Sequence, residues 1–181
     1  LRVAETGQCR ALRGDFIELA GAERGLRQAL EGYLGSQGLD RESVAYLIRE
    51  HLERHSAHTE SEFGALLQFL RPSRTGVAFA EGNQNAIFAL FFRALRRIAT
   101  ERPVFLALSE FHRGETLSAA FLEYAVFELG FDQFPIFVCA TTETLGTQTA
   151  LAAALERVRE HTPQIVSQVS IGPIGRDILA E

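Results

Sequence analysis

Two short uninterrupted apolar runs, Val104–Leu108 and Pro135–Ala140, bracket a stretch in which apolar residues recur at helical spacing. Each run is bounded by turn residues and rich in Val, Ile and Phe, the pattern of a strand buried on both faces. Between them Leu117, Phe121, Leu122, Tyr124, Ala125, Phe127 and Leu129 form an apolar helical stripe. A helix between two such strands predicts a β-α-β unit with the strands parallel. Its chemistry then belongs at their carboxyl ends, where Ser109, Glu110, Thr141 and Thr142 fall.

The same reading extends along the chain. A short strand is expected at Arg2–Ala4, then a turn or extended piece at Gly7-Gln8-Cys9, broken at Gly14-Asp15. Leu19, Ala22, Leu26, Leu30, Tyr33 and Leu34 predict a helix that Gly35–Gly38 ends. Asp40 caps the next, with Val44, Leu47, Ile48 and Leu52 inward as far as about His55. Thr59-Glu60-Ser61-Glu62 opens a third, its acids favoured at the positive end of the helix dipole, with Phe63, Leu66, Leu67 and Leu70 inward and Arg71-Pro72 as the stop. Ser73–Gly82 reads as the most mobile loop. A long helix runs from about Asn83 or Asn85 to Thr100, burying Ile87, Phe88, Leu90, Phe91, Leu95 and Ile98 and leaving Arg93, Arg96 and Arg97 on a solvated face. Thr147–His161 is a last helix, Ile165–Ile171 a last strand, and Arg176–Ala180 a closing turn.

Composition narrows the function classes. A hydrophobic fraction of 46% over 181 residues can bury a core, and one domain is expected. A net charge of −5 gives no overall pull toward nucleic acid, and no apolar run approaches the ~20 residues of a membrane span. A cytoplasmic protein is expected. The sequence lacks Met, so a natural start elsewhere, in a longer protein, is expected too. Cys9 and Cys139 read as buried free thiols. There are 18 Arg and no Lys. A Walker A loop, GxxxxGK[ST], wraps phosphate in backbone N–H groups and reaches it with a Lys, so the inventory excludes one within these residues.

Two constellations carry candidate chemistry. Glu110 can polarise water or simply stand solvated at a strand end. Thr141-Thr142 can sense a ligand or serve as turn and cap hydroxyls, and His112 reads first as a hydrogen-bonded structural histidine. His51, His55 and His58 share a helix face and could hold a transition metal, but HLERH is not HExxH. A solvated polar face is the expected reading there. No GxSxG elbow surrounds Ser109.

The order of elements, with ERPVFLALSEFHRGETLSAAFLEYAVFEL, PIFVCATTE and VSIGPIGRDILAE, resembles the AAA/STAND class of ATPases. It is closest to the modules of bacterial multidomain signalling regulators fused to kinase, cyclase or DNA-binding domains. The resemblance covers roughly Asn85–Glu181, and Gly7-Gln8-Cys9 extends it weakly to the start. It implies an α/β, P-loop NTPase-like parallel sheet in three layers, a single domain over 1–181 with a helical insertion at 19–70 and a βα core at 83–181. It implies ATP and Mg²⁺ as cofactors, with Ser109 and Thr141 toward the nucleotide and Glu110 as the catalytic acid. Partners would be other domains of the parent protein or regulatory proteins. The departures fall on the chemistry. Ser109 stands where an Asp is expected, Arg113 and Glu115 where Trp and Asp are usual, and Glu143 where a positive residue belongs. The phosphate loop would lie outside these residues or be lost. Little or no hydrolysis by this chain alone is expected, and a pseudo-ATPase scaffold for protein contact is the alternative.

Overall fold

The two apolar runs are neighbouring parallel strands, in register from Val104 opposite Ile136 to Leu108 opposite Ala140. A computed structural model describes residues 7–16, 23–55, 59–73, 84–131, 134–143 and 149–169. Its elements run β1 (Arg10–Asp15), α1 (Glu23–Leu34), α2 (Arg41–Arg54), α3 (Glu60–Leu70), α4 (Gln84–Glu101), β2 (Val104–Ser109), a 3₁₀ turn (Phe111–Gly114), α5 (Glu115–Phe131), β3 (Ile136–Ala140) and α6 (Ala150–His161). The sheet order is β1-β2-β3, and β1 also pairs parallel to β2. The chain is therefore an α/β fold with helices packed on a parallel sheet. None of its helices is long and apolar enough to cross a membrane, among the described residues.

Gly14 and Asp15 do not break β1; they are its last two residues, opposite Leu108 and Ser109. Glycine is needed there because α1 lies so close that a Cβ on Gly14 would strike the carbonyl of Gly25. Gln28 of α1 accepts the Asp15 N–H at 2.9 Å, so α1 also meets one outward N–H of β1.

The core gathers where α4 and α5 meet. Phe88, Phe91 and Phe92 of α4 lie 5.4, 6.0 and 5.8 Å from the Phe121 ring of α5. Fully burying one such ring stabilises the fold by about 1.5–3 kcal/mol. Phe127 of α5 falls outside this stripe and is exposed. Helix ends follow local chemistry: Asp40 and Thr59 cap α2 and α3 by accepting the N–H of Ser43 and Glu62. Gly35 and Gly38 take positive φ in the α1–α2 connection. Arg71, just past α3, then pins that connection, donating to the carbonyls of Ser36 and Leu39 at 2.6 and 2.9 Å and pairing with Glu31.

Several expectations are corrected. The sheet is covered on one face, not two, by the described residues. Leu12, Leu106, Leu108 and Ile136 are buried, whereas Arg13, Phe137 and Cys139 on the other face are exposed. Among the described residues β3 is the edge strand, with its second face open, and Cys139 is an exposed thiol, not a packed one. Leu47 and Leu67 are half-buried, His51 and Phe69 taking the inward positions. Arg96 and Arg97 are paired with Glu128 and Glu62, not simply solvated. Residues 165–169 are irregular. The expected strand at Arg2–Ala4, the start of the first helix at 19–22, loop 74–82 and the segment 170–181 lie outside the described residues.

Candidate functional site

Parallel strands deliver their carboxyl ends to one side, and here three of them do so together. Asp15 pairs with Ser109 in the ladder, and Thr141 follows the last β3 pair, Leu108 opposite Ala140. Asp15, Ser109 and Thr141, with Arg13 and Cys139, line a shallow depression of about 270 Å³ on the uncovered face. Sequence reasoning supplied Ser109 and Thr141 for this place. It missed Arg13 and Asp15 by reading Gly14-Asp15 as a break; the signal available was the need of a β-α-β unit for a further parallel neighbour.

The loops above the strands are laced to each other and to the core. Thr141 donates its N–H to Leu108 O at 2.8 Å, and its own carbonyl accepts the Phe111 N–H at 2.9 Å. Phe111 is buried, edge-on to Phe16 at 5.2 Å. Its carbonyl accepts the hydroxyl of buried Ser118 at 2.5 Å. These anchors hold Glu110 in the left-handed region, φ 53° and ψ 34°, which a non-glycine residue adopts at a cost of about 1 kcal/mol or more.

Glu110 does not line the depression. Its carboxylate accepts from Arg113 Nε at 2.8 Å and lies 3.9 Å from His112 Nε2, and a Glu143 carboxylate oxygen is also 3.9 Å from that nitrogen. Ligand-type atoms of Glu110, His112 and Glu143 all lie within 4.8 Å of one another. The His112 Nδ1 accepts the Glu143 N–H at 3.2 Å. A ring nitrogen that accepts carries no proton, so the ring proton sits on Nε2, facing the carboxylates. A metal on Nε2 would need that proton moved to Nδ1, against an N–H donor. The arrangement therefore suits a histidine whose Nε2 faces two acids better than a metal ligand set.

Magnesium and a nucleoside triphosphate ask more of a site than this depression offers. The lining offers one guanidinium, Arg13, one carboxylate, Asp15, and the hydroxyls of Ser109 and Thr141. A triphosphate is held by many backbone N–H groups and several cations, and this lining does not by itself supply them. Glu143 adds negative charge nearby. The histidine helix is a different place. His51 is buried and His55 nearly so on α2, which removes the solvated-face reading; His58 lies outside the described residues. Comparison of the chain with protein-family models, with curated proteins and with solved structures finds no match.

Proposed function

We propose that this chain is a nucleotide-binding regulatory module of the AAA/STAND type, part of a larger cytoplasmic signalling protein, with little or no hydrolysis of its own. The observation that carries the reading is the placement of Asp15, Ser109 and Thr141 at the carboxyl ends of three adjacent parallel strands. In open α/β sheets that is where ligands bind. The P-loop-like identity of the fold is part of this proposal. Ser109 and Thr141 would meet nucleotide oxygens through their hydroxyls, and Asp15 supplies the carboxylate that Ser109 lacks. Glu110 is withdrawn from the depression by Arg113, which supports weak hydrolysis. On this reading the phosphate-wrapping loop would lie outside residues 1–181 or be lost, because no Lys and no GxxxxGK[ST] occur within them.

The second reading, a pseudo-ATPase scaffold kept for protein contact, is favoured by the same Glu110–Arg113 pair and by Glu143. Titration of labelled ATP with and without Mg²⁺ separates the two. Saturable binding at micromolar ATP, lowered at least tenfold by Ser109→Ala with Thr141→Ala, supports the nucleotide module. No binding at millimolar ATP leaves the scaffold.

A further inference from the structure

The two ends of α2 are held by different chemistry. At its start Asp40 accepts the Ser43 N–H at 2.8 Å, and Arg41 donates to the carbonyl of Arg71. Arg71 in turn ties down the α1–α2 connection through the carbonyls of Ser36 and Leu39. Guanidinium groups do not lose their charge in proteins, and the Ser43 N–H holds the Asp40 carboxyl below its usual range. Mild acid leaves this end fastened. The other end rests on imidazoles. His51 is buried, and the side chain of His55, the C-cap, is only 7% exposed. His51 Nδ1 and His55 Nε2 have no hydrogen-bond partner among the described residues. The rings lie 4.8 Å apart, so a proton on one makes the second harder to add.

Four helices surround this pair. Tyr33 of α1 stands edge-on to His51, its hydroxyl kept neutral by burial, with Arg10 of β1 and Glu101 facing the phenol. Arg54 of α2 and Arg97 of α4 set like charges against a proton on either histidine. Glu62 of α3 favours a charge on His51, but both its oxygens already accept from Arg97. Glu101 of α4 lies 3.5 Å from His55 and can answer a charge there. His51 has no such acid beside it among the described residues.

We infer that the last turn of α2 is an acid-released latch: protonation of His51 and His55 frees residues 51–54 from α1 and α4, while the start of the helix stays fastened. A proton on His51 puts a charge where water and acids are both missing, and lifting the turn hydrates the two rings. Buried Leu52 opposes the release and keeps the latch shut at neutral pH. Once lifted, the turn has lost its packed face and frays, because short helices are marginal in water by themselves. Release uncovers Tyr33 and the apolar side of the turn, a surface presented only in mild acid. The strand-end depression is built from other elements, and nucleotide takes no part.

Amide hydrogen exchange of residues 1–181 at pH 7.5 and pH 5, read residue by residue as protection factors so that the intrinsic pH dependence cancels, tests this. His51 has a pKa of about 4 in its buried place and about 6.5 once hydrated, so the open fraction should rise about 30-fold between the two pH values. The amides of Leu52, Glu53 and Arg54 should lose that much protection, while Val44–Leu47, β2 and α5 change by less than about threefold. In His51→Leu the effect at Leu52–Arg54 should fall below about threefold, and His51→Gln, equally unable to take a charge, serves if the leucine chain does not fold. Unchanged protection at Leu52–Arg54 in the parent chain overturns the proposal. A loss shared equally by Val44–Leu47, β2 and α5 also overturns it, since acid would then unfold the whole chain and not one turn. A loss that persists in the neutral variants overturns it too, by assigning the effect to another group.

Discussion

His51 on the inner face of α2 and His55, which caps that helix, have ring centroids 4.8 Å apart, and Tyr33 of α1 stands edge-on to His51 at 5.5 Å. His51 is 5% exposed and its Nδ1 has no hydrogen-bond partner among the described residues. Burial, then the nearby His55, Arg97 and Arg54, push its pKa down to about 4, with Glu62 opposing. His55 is also lowered, by burial first and against the pull of Glu101. A histidine depressed in the folded state is protonated first in the unfolded chain, near pH 6.5. The stability it contributes is thus complete above pH 6.5 and is lost as pH falls from there toward 4. At pH 5 the loss from His51 is about 2 kcal/mol. Unfolding free energies from urea denaturation at pH 7.5 and pH 5 should therefore diverge in the parent chain and draw together by roughly that amount in His51→Leu. An unchanged gap would mean that His51 is not a neutral buried ring. The i, i+4 spacing of these histidines was legible in the sequence, but their burial was not. It depends on Tyr33 and the end of α4 arriving at that face, which no local pattern on α2 encodes.

Among the elements, α3 and α4 are joined by a bidentate pair. Arg97 donates to both oxygens of Glu62 at 2.5 and 2.6 Å, and Arg93 lies 3.6 Å away on the exposed side. Burial pushes the Glu62 carboxyl up, but the Arg97 hydrogen bonds and charge, with Arg93 behind, hold it below the usual range. Glu62 and Arg97 side chains are 11% and 17% exposed, so removing one leaves the other stranded. Arg97→Ala is expected to lower unfolding free energy by about 1–3 kcal/mol. Arg93→Ala should change it by less than about 0.5 kcal/mol, as exposed pairs do. A double-mutant cycle with Glu62→Gln checks this, and additive effects for Arg97 would deny the coupling. The sequence placed Arg93, Arg96 and Arg97 together on the outer side of α4, and that geometry holds. What it lacked was the arrival of Glu62 from α3 and Glu128 from α5, each on a different helix.

For the molecule as a whole, the described residues leave one face of the sheet open. Phe137 is exposed and lies outside the core formed by the described residues, so Phe137→Ser should shift stability by less than about 0.5 kcal/mol. The same change removes an exposed aromatic beside an unpaired strand edge and is expected to reduce self-association. Thermal melts and light scattering over a concentration series read the two effects separately. A large loss of Tm would show that Phe137 is part of a core after all. The site at the strand ends belongs to this scale too. Ser109 and Thr141 share a depression because β2 and β3 are parallel, Asp15 joins them because β1 extends the ladder, and Glu110 is turned aside by Arg113.

Periodicity and turn chemistry within the sequence determined the helices, their caps, the parallel β2-α5-β3 unit and the strand-end position of the candidate residues. These depend on neighbours a few positions apart, or on the general rule that a helix between two apolar runs makes a right-handed crossover. Tertiary structure alone decided which face of the sheet is covered, which histidines lose water, and which acid each arginine meets. Those outcomes are set by elements distant in the chain, whose approach fixes burial and charge pairing without leaving a mark on the local pattern.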